Sequence, residues 1–163
     1  MQDGAAIMRI WVDTEFIEDG KTIELLSIGA VREDGAQFYA EIAETDRSLA
    51  NPWVLEHVFP GLTGPILSRA AVASILKKFA GPSPEFWAYF CSYDWVALCQ
   101  LYGTMMDLPN GWPMYCRDLK QLVTEQYGNR DLHVLVPQVD EHNALADARW
   151  TRDAHLALTR GAS

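Results

Sequence analysis

The sequence predicts an α/β layer protein, a mixed sheet of five strands flanked by helices in the order β-β-β-α-β-α-β-α. Three observations carry that expectation. The first forty or so residues hold three apolar runs joined by tight turns, the pattern of an antiparallel meander. Further on, short apolar runs alternate with segments of helical periodicity, as crossover connections require. The 163 residues are 49% hydrophobic and 21% charged, which suits one domain, 1–163, with a real core.

Taken in order, residues 7–12 form the first strand, and Glu18-Asp19-Gly20-Lys21 turns the chain. The second strand covers 25–31. Glu33-Asp34-Gly35 is a hairpin turn into the third, 37–42. Asn51-Pro52 opens a short helical stretch, 53–58, that Pro60-Gly61 stops. Ser68 caps a helix running to Phe79, which Gly81-Pro82 closes. Residues 86–90 read as a buried strand and 93–102 as a helix ended by Gly103. A Pro/Gly-rich loop around Trp112 leads to a short strand at 114–117. That loop reads as packed on its own domain, with an interface role as the alternative. Asp118 caps a helix to Tyr127, closed by Gly128. A polar loop follows, and the last helix covers about 143–159.

Composition removes several classes. No run of 18 apolar residues exists, so no membrane span is expected. Residues 1–6 lack a basic n-region and a long apolar stretch. They read as an appendage rather than a secretory signal, with Met8 as an alternative start. Three cysteines, 91, 99 and 116, without C-x-x-C spacing, suit reduced core thiols in a cytoplasmic protein. The formal charge of −9 argues against gripping long nucleic acid by bulk electrostatics, but not against a nucleic-acid enzyme.

The chemistry begins at Asp13 and Glu15, which follow the apolar run Ile7-Met8-Arg9-Ile10-Trp11-Val12. In a strand, residues i and i+2 point to one face, so two carboxylates lean into one small volume. On a buried strand they must hold a proton or share a cation, and a hard divalent ion such as Mg²⁺ or Mn²⁺ fits. Asp94 heads the apolar stripe of its helix, with Ala97, Leu98 and Leu101 behind it, and so points inward. Asp147 borders Ala144, Ala148 and Thr151, small residues that let the last helix approach the sheet and bring Asp147 over the strand of Asp13 and Glu15. His142 sits between the polar loop and this helix. His155 reads as a core-edge residue, and His57 and His133 as surface residues.

Asp13-Thr14-Glu15, Asp94, then His142 with Asp147 resemble, in this order, the DEDDh 3′–5′ exonucleases. Val12-Asp13-Thr14-Glu15-Phe16 with Ser27-Ile28-Gly29-Ala30-Val31 resembles that family's first motif. Tyr93 to Leu98 is similar to the second and His142 to Ala148 to the third. A sister group places tyrosine where this chain has Asn143, so the histidine version fits. Within the family, the chain most resembles the polyadenylate-specific exoribonucleases called ribonuclease AS, through segments such as Pro52-Trp53-Val54 and Arg117 to Leu122. One departure stands out: Phe90 occupies a position where many members carry Asn.

The resemblance implies a ribonuclease H-like fold and a two-metal hydrolysis of the terminal phosphodiester at a 3′ end, releasing 5′-mononucleotides. It implies that Asp13 bridges two Mg²⁺ or Mn²⁺ ions, that Glu15 and Asp147 complete one of them and that Asp94 supports the other. His142 is then the general base, its pKa near working pH. Thr14, Glu15, Phe16 and His142 would face the substrate, with Phe16 offering a stacking surface. Single-stranded RNA 3′ ends, a poly(A) preference, an AMP product and a homodimer follow from the family alone. The alternatives are a single-strand DNA exonuclease or proofreading subunit, and a non-catalytic RNA-binding module.

Overall fold

The computed structural model describes residues 7–160, so the expected appendage at 1–6 lies outside the described residues. Three antiparallel strands open the fold as expected: β1 (Met8–Glu18), β2 (Ile23–Arg32) and β3 (Gln37–Ile42). There follow α1 (Pro52–His57), β4 (Ile66–Leu67), α2 (Arg69–Ala80), β5 (Pro84–Ala88), α3 (Ser92–Gln100), β6 (Arg117–Asp118), α4 (Leu119–Tyr127), α5 (Leu132–Leu135) and α6 (Ala144–Arg160). The sheet runs β4-β3-β2-β1-β5-β6, with β1 antiparallel to β2 and parallel to β5. The α/β class and mixed sheet agree with the sequence, but among the described residues the sheet has six strands rather than five. The sixth, β4, is two residues that add to β3 beside Glu41 and Ile42. It is too short to carry a period.

β1 runs past Val12, because its ladder with β2 continues to Glu18 opposite Ile23, with a bulge between Glu15 and Phe16. The acids at the end of the apolar run therefore lie inside the strand. β5 stops at Ala88, short of the expected Phe90. The Asp118 carboxylate accepts the Phe90 and Cys91 N–H groups at 3.1 and 3.3 Å and bends the chain away from the sheet. β6 begins only at Arg117, and the polar loop after α4 contains the single-turn α5.

The two faces of β1 are buried differently. Ile10 and Val12 join the core formed with α2 and α3, together with Ile28 and Ala30 of β2 and Ala40 and Ile42 of β3. Trp11 faces the other way and its Nε1–H donates to His155 of α6 at 3.0 Å. A second cluster, Leu119, Val123, Leu132, Trp150 and Ala154, ties α4 and α5 to α6. Trp112 packs on Phe86 and Tyr102 within its own fold, and its Nε1–H donates to Gly81. His155 is buried, as its place on the α6 stripe required.

Candidate active site

The β1–β5 ladder ends at Trp11 opposite Trp87. The next outward position on that face of β1 is Asp13, so its carboxylate emerges in the notch where β5 has stopped. Glu15 follows on the same face. Asp147, in the first turn of α6, reaches the same spot, and one oxygen from each of the three residues can be chosen so that all lie within 4.8 Å of one another. Asp94 approaches from the opposite face of β1. Its Oδ1 accepts both the Thr14 N–H at 2.9 Å and the Thr14 hydroxyl at 2.6 Å, so α3 is pinned to the strand at the residue between the two acids. The structure thus gathers Asp13, Glu15 and Asp147 into one cluster and stations Asp94 beside it.

Asn143 sets the start of α6, its side-chain oxygen accepting the Leu145 and Ala146 N–H groups. Its amide also donates to the Gly61 carbonyl at 2.7 Å, tying the helix start to the turn after α1. His142 precedes it in the left-handed region, φ 67°. Its backbone N–H donates to Asp147 at 3.0 Å, and its half-buried ring stands edge-on to Trp53. Gln138, which no sequence signal singled out, donates its side-chain amide to the other Asp147 oxygen.

The charge balance is uncompensated. Glu41 of β3, more buried than the site acids, is met by the Arg47 guanidinium at 2.6 Å. Among the described residues, none of the four site carboxylates has a Lys or Arg within salt-bridge distance. Burial, and then the charges of Asp94, Asp147 and Glu15, push Asp13 well above the ordinary carboxylate range. Burial, then Asp147 and Asp94, push Glu15 up to about 8. Burial raises Asp94 to about 6 although the Thr14 donors oppose it. Asp147 also rises to about 6 through burial, against the Gln138 and His142 donors. Clustered, desolvated carboxylates that offer only oxygen are a fitting donor set for a hard divalent cation, whose charge would supply what the protein withholds.

The acids open into a cleft of about 540 Å³ that also contains Phe16, Tyr89, Phe90, Tyr93, Asp118 and His142. A smaller cavity of about 260 Å³ adjoins it on the α5–α6 side, bounded by His133, Gln138 and Trp150. A separate groove of about 300 Å³ beside Trp112 contains none of the four acids. His57 and His133 differ in setting: His57 is exposed and stacks on Trp53, whereas His133 stacks on Trp150 at the edge of the smaller cavity.

This combination of a mixed sheet, a central acid-bearing strand and a helix delivering the last Asp defines a ribonuclease H-like fold of the kind found in exonucleases. Solved structures agree. Exonuclease I superposes with a TM-score of 0.69 at 17% identity, covering 93% of this chain and 40% of its own. The RNase domain of the yeast Pop2 protein gives a TM-score of 0.69 at 11% identity, covering 93% of this chain and 76% of its own. No protein-family model matches the sequence. Two curated 3′–5′ exoribonucleases of Mycobacterium tuberculosis, from strains CDC 1551 / Oshkosh and ATCC 25618 / H37Rv, are each 44% identical to it over 151 residues, 87% of this chain and 88% of theirs. The chain belongs to the family of these 3′–5′ exoribonucleases, and it is an enzyme, a 3′–5′ exonuclease.

Proposed function

We propose that this exonuclease shortens single-stranded RNA from its 3′ end, prefers poly(A), and releases 5′-mononucleotides such as AMP. The observation that carries the reading is the convergence of Asp13, Glu15 and Asp147 within 4.8 Å, with no Lys or Arg within salt-bridge distance of them among the described residues. Asp13, Glu15 and Asp147, with Asp94 beside them, would hold two Mg²⁺ or Mn²⁺ ions. Bound there, the ions would lower the pKa of a water from 15.7 toward about 7 and stabilise charge on the phosphate and the departing oxygen.

The chain's own groups supply the rest. His142, on the cleft wall, accepts the proton of the water that attacks phosphorus at one imidazole nitrogen. The bond from phosphorus to the 3′-oxygen breaks, and the terminal residue leaves as a nucleoside 5′-monophosphate. Thr14 acts through Asp94, holding its carboxylate with two donors. Phe16 offers a face to a base; the resemblance implies that backbone amides near Glu15 and Phe16 donate to the terminal 3′-hydroxyl, and Glu15 is a candidate acceptor for a 2′-hydroxyl. The resemblance to ribonuclease AS supports the poly(A) preference and a homodimer of 1–163 exonuclease domains in the cytoplasm.

The test is incubation of 3′-labelled RNA and matched DNA with Mg²⁺ or with EDTA. Ion-dependent release of labelled mononucleotide from RNA, faster for oligo(A), supports the reading. Release in EDTA, internal cuts alone, or faster cleavage of DNA overturns it.

A further inference from the structure

Phe90 is the residue that the acids and the histidine leave unexplained. It stands in the left-handed region, φ 57°, where a non-glycine residue is strained. The residue is 60% exposed, a large apolar side chain bordering the cleft rather than buried in the core. The strain is held in place: the two Asp118 carboxylate oxygens accept the Phe90 and Cys91 N–H groups, and one of them also accepts the Lys120 N–H at 2.8 Å. The ring is braced as well. It lies 4.6 Å from the Tyr89 ring, which in turn meets Trp150 of α6 edge-on at 5.4 Å. Phe90 and Tyr89 border both the 540 Å³ cleft and the 260 Å³ cavity, so the pair stands at the divide between them.

Among the described residues, no Lys or Arg lines either space, so away from the ions that the acids would hold, no Lys or Arg side chain there meets the phosphates. Away from the scissile phosphate, the bases are therefore the main handle on the strand, and aromatic faces hold them without regard to charge. We propose that Phe90 is a substrate-binding residue whose ring stacks on a nucleobase next to the scissile linkage. The proposal rests on the reading of this site as one that takes single-stranded nucleic acid. It adds a contact that the position, occupied by Asn in many relatives of the resembling family, could not make there.

The experiment measures binding of a fluorescent oligo(A) with hydrolysis-resistant phosphorothioate linkages, in Mn²⁺, to the wild type, Phe90→Gly, Phe90→Asn and Phe90→Tyr. Gly and Asn accept the left-handed backbone, so both variants stay folded with melting temperatures at or above that of the parent. Each is expected to bind about 10-fold more weakly, whereas Phe90→Tyr binds as the wild type does. Oligomers abasic at the last or the penultimate position extend the measurement. At one of these positions, base removal weakens the wild type about 10-fold but Phe90→Gly hardly at all. Unchanged binding by both Phe90→Gly and Phe90→Asn, equal abasic losses in the wild type and Phe90→Gly, or no oligomer binding at all overturns the proposal. The exoribonuclease reading fails separately, if the wild type shortens DNA but not RNA, and the same series on the DNA oligomer then decides the role of Phe90.

Discussion

The backbone of Ala144 crosses Gly29 of β2 so closely that a Cβ on Gly29 would lie 2.3 Å from the Ala144 carbonyl carbon and oxygen. This contact seats the start of α6, and with it Asp147, on the strand pair that carries Asp13 and Glu15. Gly29→Ala cannot be absorbed by a side-chain shift, because the atoms it meets are backbone. It is expected to lower stability by about 1–3 kcal/mol, the cost of overpacking. It should also weaken Mn²⁺ binding by displacing Asp147. Chemical denaturation and a Mn²⁺ titration check the two effects, and an unchanged ion affinity would separate the helix seat from the site.

Asp13 should trade stability for function. Its carboxyl is pushed well above the ordinary range by burial first and then by Asp94, Asp147 and Glu15. Asp13→Asn keeps the shape and removes the charge. Thermal denaturation at pH 8 without divalent ions should show a higher melting temperature for the variant, while RNA cleavage assayed with Mn²⁺ is lost.

The pH dependence has a definite sign. Glu15 titrates near 8, and Asp94 and Asp147 near 6, all above the unfolded range of about 4. Between these values the native state holds protons that the unfolded chain has released, so the metal-free protein loses stability as pH rises from about 4 to about 8. Burial acts on His155 in the opposite sense, lowering it to about 4, so its contribution is lost as pH falls from about 6.5 toward 4. In denaturant titrations, Mn²⁺ should abolish the loss above pH 6. His155→Phe should remove the loss on the acid side, at the cost of leaving the Trp11 N–H without its acceptor.

Salt should matter little to substrate capture. With no Lys or Arg lining the cleft among the described residues, few counterions leave the RNA on binding. A plot of log KM against log salt at fixed Mn²⁺ is expected to have a slope below about 1, the value for roughly one phosphate contact. A steep slope would point to basic residues outside the cleft that track the strand.

How much of this was legible in the sequence depended on distance along the chain. Asp13 and Glu15 announced a shared face through the two-residue period of a strand, and Asp94 through its place at the head of an apolar stripe. Asp147 came from the small residues around it, because Ala144 and Ala148 implied close packing. What was hidden needed a remote partner. The Gly29 contact exists only once Ala144 is laid over it. Gln138 lies in an aperiodic loop and gains meaning from Asp147. Tyr89 and Phe90 look like a strand end by composition, but the Asp118 carboxylate turns Phe90 into the cleft. β4 and α5 were missed because two and four residues cannot show a period.

The central claim, that Asp13, Glu15 and Asp147 form a divalent-cation site required for cleavage, is tested most directly by a Mn²⁺ titration of 3′-trimming on a 5′-labelled oligo(A), comparing the wild type with Asp147→Asn. The account predicts a ladder shortening one nucleotide at a time, saturating with Mn²⁺ in the wild type and absent from the variant at the same ion concentrations. The same ladder and Mn²⁺ dependence in Asp147→Asn would contradict it.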